Sequence, residues 1–216
     1  MSATIPPIEV TIHTCSPGTG QCDIVGGVGP LTMESASVAF SWAHLNLSRV
    51  MRRLVPGVVG GLPEGIVDSE TDLQVSLGSI SVAKDGSSGG LAIALAIMDY
   101  YLGQYGIMAH AGCGATGEID LRGRVLPVTD LVQKVEQAYR GGCLVVVAPF
   151  TEARELLEDA ETGGGLLRSQ ALREFVLTSL KPVRTIIEAM EYAFEGKGQK
   201  PPYGLSRWVS EQPFFE

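Results

Sequence analysis

The chain has 216 residues, 45% of them hydrophobic and 19% charged, which is enough apolar material for one sizeable core. With 16 Lys and Arg against 24 Asp and Glu, the net charge is −8, and this argues against a nucleic-acid partner, which would call for a basic stripe. The longest apolar run, Leu91 to Met98, falls well short of the roughly 20 residues that span a bilayer, so no membrane segment is expected.

Residues 1–8, with Pro6-Pro7, read as a flexible arm, and the start lacks the basic residues and apolar core of a secretory leader, which predicts a cytoplasmic chain. "VTIHTC" (10–15) alternates as a strand does, and "GGVG" (26–29) is a turn. A helix is predicted from Glu34 to about Met51, where Ala36, Ala39, Phe40, Ala43 and Leu47 recur at helical spacing. "VPGVVGGLPEG" (55–65) reads as a loop and "DLQVSLGSISVA" (72–83) as a strand or hairpin. A helix from Gly90 to Leu102 follows, then two short strands within 109–128 joined at "LRGR". In 129–142 Thr129 or Asp130 can cap a helix that Gly141 ends in a left-handed turn. "LVVVAPF" (144–150) is a buried strand, and 151–161 and 182–194 are amphipathic helices. Periodicity fades in the tail, 196–216, and over 9–195 strands and helices interleave without a strict βαβα rhythm, so a single α+β or mixed α/β domain is expected. Cys15, Cys22, Cys113 and Cys143 show no metal-ligand spacing and read as reduced thiols, with neither metal nor cofactor implied.

The chemistry centres on "KDGSSGG" (84–90). It has no lysine after its last glycine and no GxGxxG pattern accompanies it, which argues against nucleotide binding. Wedged between a strand and an apolar helix, it is too short for a flexible linker. A third reading is a serine nucleophile at a helix start, where glycines admit a substrate carbonyl and free N–H groups stabilise an oxyanion. A serine needs a base. His13 alternates within a strand, His44 lies on a helix and His110 among small residues, which leaves a histidine triad little support. Lys134 is more informative, because it falls on the apolar stripe of Leu131, Val135 and Ala138. A lysine there either snorkels to water or, held out of water, becomes a neutral amine able to take a proton.

With those residues in place, the chain resembles the proteolytic domain of Lon proteases, a Ser-Lys peptidase family, from about Ile24 to Phe194. "GGVGPLTMESASVAFSWA" is similar to the family's glycine turn and methionine-glutamate-serine helix, and "KDGSSGG" resembles its lysine-aspartate-glycine-proline-serine-alanine-glycine motif. "TGEIDLRGRVLPV" and "DLVQKVEQAYRGG" resemble the segments that follow. The resemblance implies an α+β domain with a mixed sheet, flanking helices and a left-handed βαβ crossover, assembled as a homo-oligomer, a hexameric ring. It makes Ser88 the nucleophile, Lys134 the base, Thr116 the residue that orients the lysine, and Glu34 a neighbour of the site. The N–H groups around Ser88, with Gly86, are expected to hold the oxyanion. Asp85 either fixes the loop or keeps Lys134 charged and quiet. Ser87 and Gly89 replace the motif's proline and alanine, which predicts a more mobile loop; Thr129-Asp130 replaces a glycine pair, and Gln74 and Ser76 stand where histidines are frequent. No Walker motif is present, so the expected activity is ATP-independent cleavage of unfolded or flexible proteins and peptides through an acyl-enzyme, any unfoldase acting in trans. The competing expectation is a non-catalytic or partner-activated ring module.

Overall fold

The structure, a computed structural model, describes residues 9–15, 18–54, 72–78 and 80–196. The arm at 1–8, the loop at 55–65 and the tail beyond Gly196 lie outside the described residues. The described elements form an α+β domain, in the order β1 (Thr11–Cys15), β2 (Cys22–Val25), α1 (Pro30–Leu54), β3 (Asp72–Ser76), α2 (Gly90–Gly103), β4 (Ile107–Ala109), β5 (Cys113–Ala115), β6 (Glu118–Ile119), β7 (Val125–Leu126), α3 (Leu131–Arg140), β8 (Val145–Pro149), α4 (Phe150–Thr162), α5 (Gln170–Ser179), β9 (Leu180–Val183), α6 (Ile186–Ala193) and β10 (Phe194–Gly196).

The centre of the molecule is α2. Its residues Leu91, Ile93, Ala94, Leu95, Ile97, Met98 and Leu102 are all buried, so it is apolar nearly all round, as a helix walled in on every side must be. Alongside it, α1 presents Ala36, Ala39 and Ala43, whose small side chains let the two helices approach closely. One mixed sheet has the order β1-β3-β2, with β1 antiparallel and β2 parallel to β3. A second, β5-β8-β9, is parallel throughout, and its middle strand "VVVAP" is continuously apolar because both faces are covered. Two antiparallel pairs, β4-β10 and β6-β7, complete the strands.

The core divides into two clusters. The larger gathers α1, α2, α6 and the first sheet; the smaller joins α3, α4 and α5 through Leu131, Val135, Leu156, Leu172 and Val176. Strand β8 serves both, with Val147 in the larger cluster and Val146 and Ala148 in the smaller.

Several boundaries differ from the sequence expectation. Helix α1 starts four residues before Glu34, at Pro30, a residue suited to a first helical turn. Leu31 and Met33 in that turn are exposed, so its apolar residues do not extend the buried stripe. The segment 72–83 forms a strand only to Ser76, and the chain returns as a single bridge between Val28 and Lys84. Asp130 precedes α3 but does not cap it, because its left-handed backbone (φ 58°) is not the extended conformation from which an N-cap side chain reaches back. Gly141 is right-handed, and the left-handed turn after α3 falls to Gly142 (φ 76°). The expected helix at 182–194 begins only at Ile186, since Pro182 and Val183 belong to β9, and Gly196 closes β10 rather than opening the tail. Among the described residues no helix is long and apolar enough to cross a membrane, and no group of three His, Cys, Asp or Glu side chains is placed to hold a metal.

Asp72 closes the loop before β2: its carboxylate accepts from the N–H groups of Thr19 (2.6 Å) and Gln21 (3.0 Å). Those backbone bonds, Gln21 first, hold its pKa below the ordinary carboxylate value. A depressed carboxylate pKa stabilises the fold above its unfolded value, and that contribution is lost as pH falls through the folded one. The urea midpoint of the native chain is therefore expected to drop more steeply in acid than that of Asp72→Asn. Equal slopes would show that Asp72 makes no such contribution.

Candidate active site

Between Lys84 and α2 the chain makes a single 3-10 turn, Ser87–Gly89, that runs directly into the helix. The turn is tied down on two sides. On the first, the Asp85 carboxylate accepts from the N–H groups of Leu31 (2.9 Å) and Thr32 (3.3 Å), capping α1 from outside its own chain segment. Position 29 must be glycine for this, since a side-chain carbon there would strike the Asp85 carboxyl group. The Thr32 hydroxyl accepts from Gly86 N–H (3.1 Å) and lies 3.2 Å from the Gly86 carbonyl, and the Ser35 hydroxyl donates to the Ser87 carbonyl (2.9 Å). On the second side, Gly117 N–H (2.9 Å) and the Thr116 hydroxyl (3.3 Å) both donate to the Ser88 carbonyl, while the Ser87 hydroxyl donates to the Glu118 carboxylate. A side chain at position 90 would press against Ser35 Oγ and Ile119, so the start of α2 is fitted tightly between these two walls.

The Ser88 side chain is the part of the turn left over. The residue is half-buried, and its hydroxyl makes no hydrogen bond to another described residue. In a turn beginning at Ser87, the N–H groups of Ser87 and Ser88 precede the first intrahelical bond. Gly86, expected beside them, has its N–H occupied by Thr32.

Lys134 sits on α3 between the buried Leu131 and Ala138, next to buried Val135, and is itself half-buried. Its ammonium donates to the Thr129 carbonyl at 2.6 Å, where the bond is exposed. Among the described residues no hydrogen bond joins Lys134 to Ser88 or Thr116. The Asp130 backbone that swings α3 into place is the sole non-glycine with positive φ among the described residues, at a position where the resembling motif has glycine; such a backbone costs a residue with a side chain roughly 1 kcal/mol.

The structure thus gathers Asp85, Gly86, Ser88 and Thr116 into one bonded assembly and sets Lys134 on a separate helix. The Asp85 carboxylate is bonded to the start of α1. Glu34 is exposed, and its neighbours on α1, Thr32 and Ser35, are the side chains that bond to the turn. Thr32, Ser35 and Glu118 are additions to the expected set. The first two carried a signal, since they are polar residues on the buried side of α1, only 5% and 7% exposed. Glu118 lies in a two-residue strand, too short to show any pattern.

Asp85→Ala is expected to destabilise the protein by about 1 kcal/mol, the usual effect of losing a helix cap, and to speed hydrogen exchange at Leu31 and Thr32. Unchanged exchange at those two amides would show that the carboxylate is not the cap.

The family model of the Lon protease (S16) C-terminal proteolytic domain matches residues 3–163. Lon protease of Erwinia amylovora is 30% identical over 199 residues, covering 91% of this chain and 21% of that protein. Lon protease 1 of Thermus thermophilus is 34% identical over 145 residues, covering 67% and 16% respectively. The peroxisomal Lon protease homolog 2 of Xenopus laevis is 30% identical over 179 residues, covering 83% and 19%. The chain therefore spans about a fifth of the length of these relatives.

Proposed function

Because the chain belongs to the family of Lon protease (S16) proteolytic domains, we propose that it is a serine endopeptidase that cleaves unfolded or flexible proteins with a Ser88–Lys134 dyad. The observation that carries this reading is the serine turn itself, in which the backbone around Ser88 is bonded on both sides while its hydroxyl is not engaged by any described residue. That is the preorganisation a nucleophile needs.

In the proposed reaction, Ser88 Oγ attacks the scissile carbonyl as the neutral Lys134 amine takes its proton. The tetrahedral oxyanion is met by backbone N–H at Ser88, aided by the positive end of α2. Collapse breaks the C–N bond, and the lysine ammonium returns the proton to the leaving amine. Water then hydrolyses the acyl-enzyme, with Lys134 again as base. For the first step the lysine must release the Thr129 carbonyl, a movement its four-carbon stem permits. Hydrolysis by the chain alone needs no ATP. The proposed setting is cytoplasmic, in a homo-oligomeric, hexameric ring, with any unfoldase acting in trans.

The test is to incubate the purified chain with unfolded casein and, separately, with a serine-directed acylating inhibitor, reading the labelled peptide by mass spectrometry. ATP-independent fragments and a label on Ser88 are expected; the absence of both would overturn the assignment.

A second reading is favoured by the Lys134–Thr129 bond, since a lysine tied to its own helix entry describes a dyad at rest. In that reading a partner or neighbouring subunit completes the site. Specific activity that rises with chain concentration supports it, and activity strictly proportional to concentration removes it.

A further inference from the structure

Ser87 stands where the resembling motif has proline, and the local geometry explains why proline would fit. Gly86 before it is extended (φ 163°, ψ 151°), Ser87 opens the 3-10 turn, and its N–H precedes the first intrahelical bond. A proline accepts such a place without giving up a helical hydrogen bond, and its ring fixes the φ of the residue before the nucleophile. Serine has no ring to do this. In its place the Ser87 hydroxyl donates to the Glu118 carboxylate, a charge-assisted bond of the stronger kind.

The anchor at the other end is firm. Glu118 belongs to β6, paired with β7 through Glu118–Leu126 and Ile119–Val125, and the preceding Thr116 and Gly117 hold the Ser88 carbonyl. The bond from Glu118 therefore joins the side chain before the nucleophile to the segment that holds the nucleophile's own carbonyl.

We propose that Glu118 is a positioning residue for the reaction, acting through the Ser87 hydroxyl to replace the restraint of a proline at position 87. The inference rests on the protease reading, but its physical content, a side-chain tether in place of a ring, is separately measurable.

The experiment compares Glu118→Ala in two backgrounds, the native chain and Ser87→Pro, each checked for an unchanged fold by circular dichroism. In the native background Glu118→Ala is expected to lower kcat about tenfold with little change in KM, and Ser87→Ala to do the same, as for interactions that place a reacting group. In the Ser87→Pro background the same Glu118→Ala change is expected to cost less than about twofold, because the tether is no longer needed. Equal losses in both backgrounds, or a native-like kcat for Ser87→Ala, would overturn the proposal. Hydrogen exchange at the amides of 86–90 supplies the readout independent of catalysis. Exchange quickened by Glu118→Ala and slowed again by Ser87→Pro supports the tether even where casein is not cleaved, a result that would count against the protease reading alone. Exchange indifferent to both changes would overturn the tether even in an active protease.

Discussion

Replacing Ser88 with alanine is expected to reduce casein hydrolysis by about a thousandfold or more, with the melting temperature unchanged. The expectation of a silent fold follows from how the turn is bonded. Gly117 N–H and Thr116 Oγ bind the Ser88 carbonyl, which alanine keeps, and no described residue depends on the hydroxyl that alanine lacks. The loss of rate follows from the chemistry, since without Oγ no acyl-enzyme forms and only oxyanion stabilisation remains to help a water attack directly. Assay by casein fragmentation, with a thermal melt on the same sample, separates the two outcomes. A fully active Ser88→Ala chain would remove Ser88 as nucleophile.

An effect of similar size, roughly a thousandfold, is expected from Lys134→Arg. Arginine can still reach the Thr129 carbonyl and keep the side-chain bond seen in the structure, so α3 is expected to hold its place. What arginine cannot do is give up its proton at any working pH. With lysine as base, the activity–pH profile is expected to change shape in Lys134→Arg, whose side chain keeps its proton throughout. A profile of the same shape in both chains would count against Lys134. If the two residues act as one unit, Ser88→Ala with Lys134→Ala is expected to be hardly worse than either alone, and simple multiplication of the two losses would argue for separate roles.

Much of this site could be read from residue order because its parts are local. The turn around Ser88 announces itself where glycines meet an apolar run, and α3 follows from three- and four-residue spacing with endpoints within two residues. What escaped was the long-range part. Asp85 caps a helix whose first turn lies 54 residues earlier, and nothing near Asp85 in the sequence names that partner. The Ser87–Glu118 bond spans 31 residues and ends in a strand of two. Strands β2, β4, β5 and β10 are too short for alternation to register, and they are strands because a partner pairs with them. Lys134 was placed by its helical stripe, and the stripe is real, but periodicity specifies the direction of a Cβ rather than the end of a four-carbon chain. Asp130 differs from expectation for a related reason: its residue type suits a cap, yet the chain bends there through a backbone state that sequence preference assigns to glycine.

The two-cluster core has a consequence for how such an enzyme would fail. Ser88 is carried by the larger cluster through α2, whereas Lys134 rides on α3, whose inward residues belong to the smaller one. The working pair would thus straddle a seam, with β8 as its spine and side chains of that single strand stitched alternately into either half. Gentle warming or dilute urea that slackens the lesser half would then part acid from base while the greater half stays intact, so inactivation would run ahead of the bulk melt. A bulky wedge at the seam would likewise silence the protein from a distance, without touching either partner of the pair.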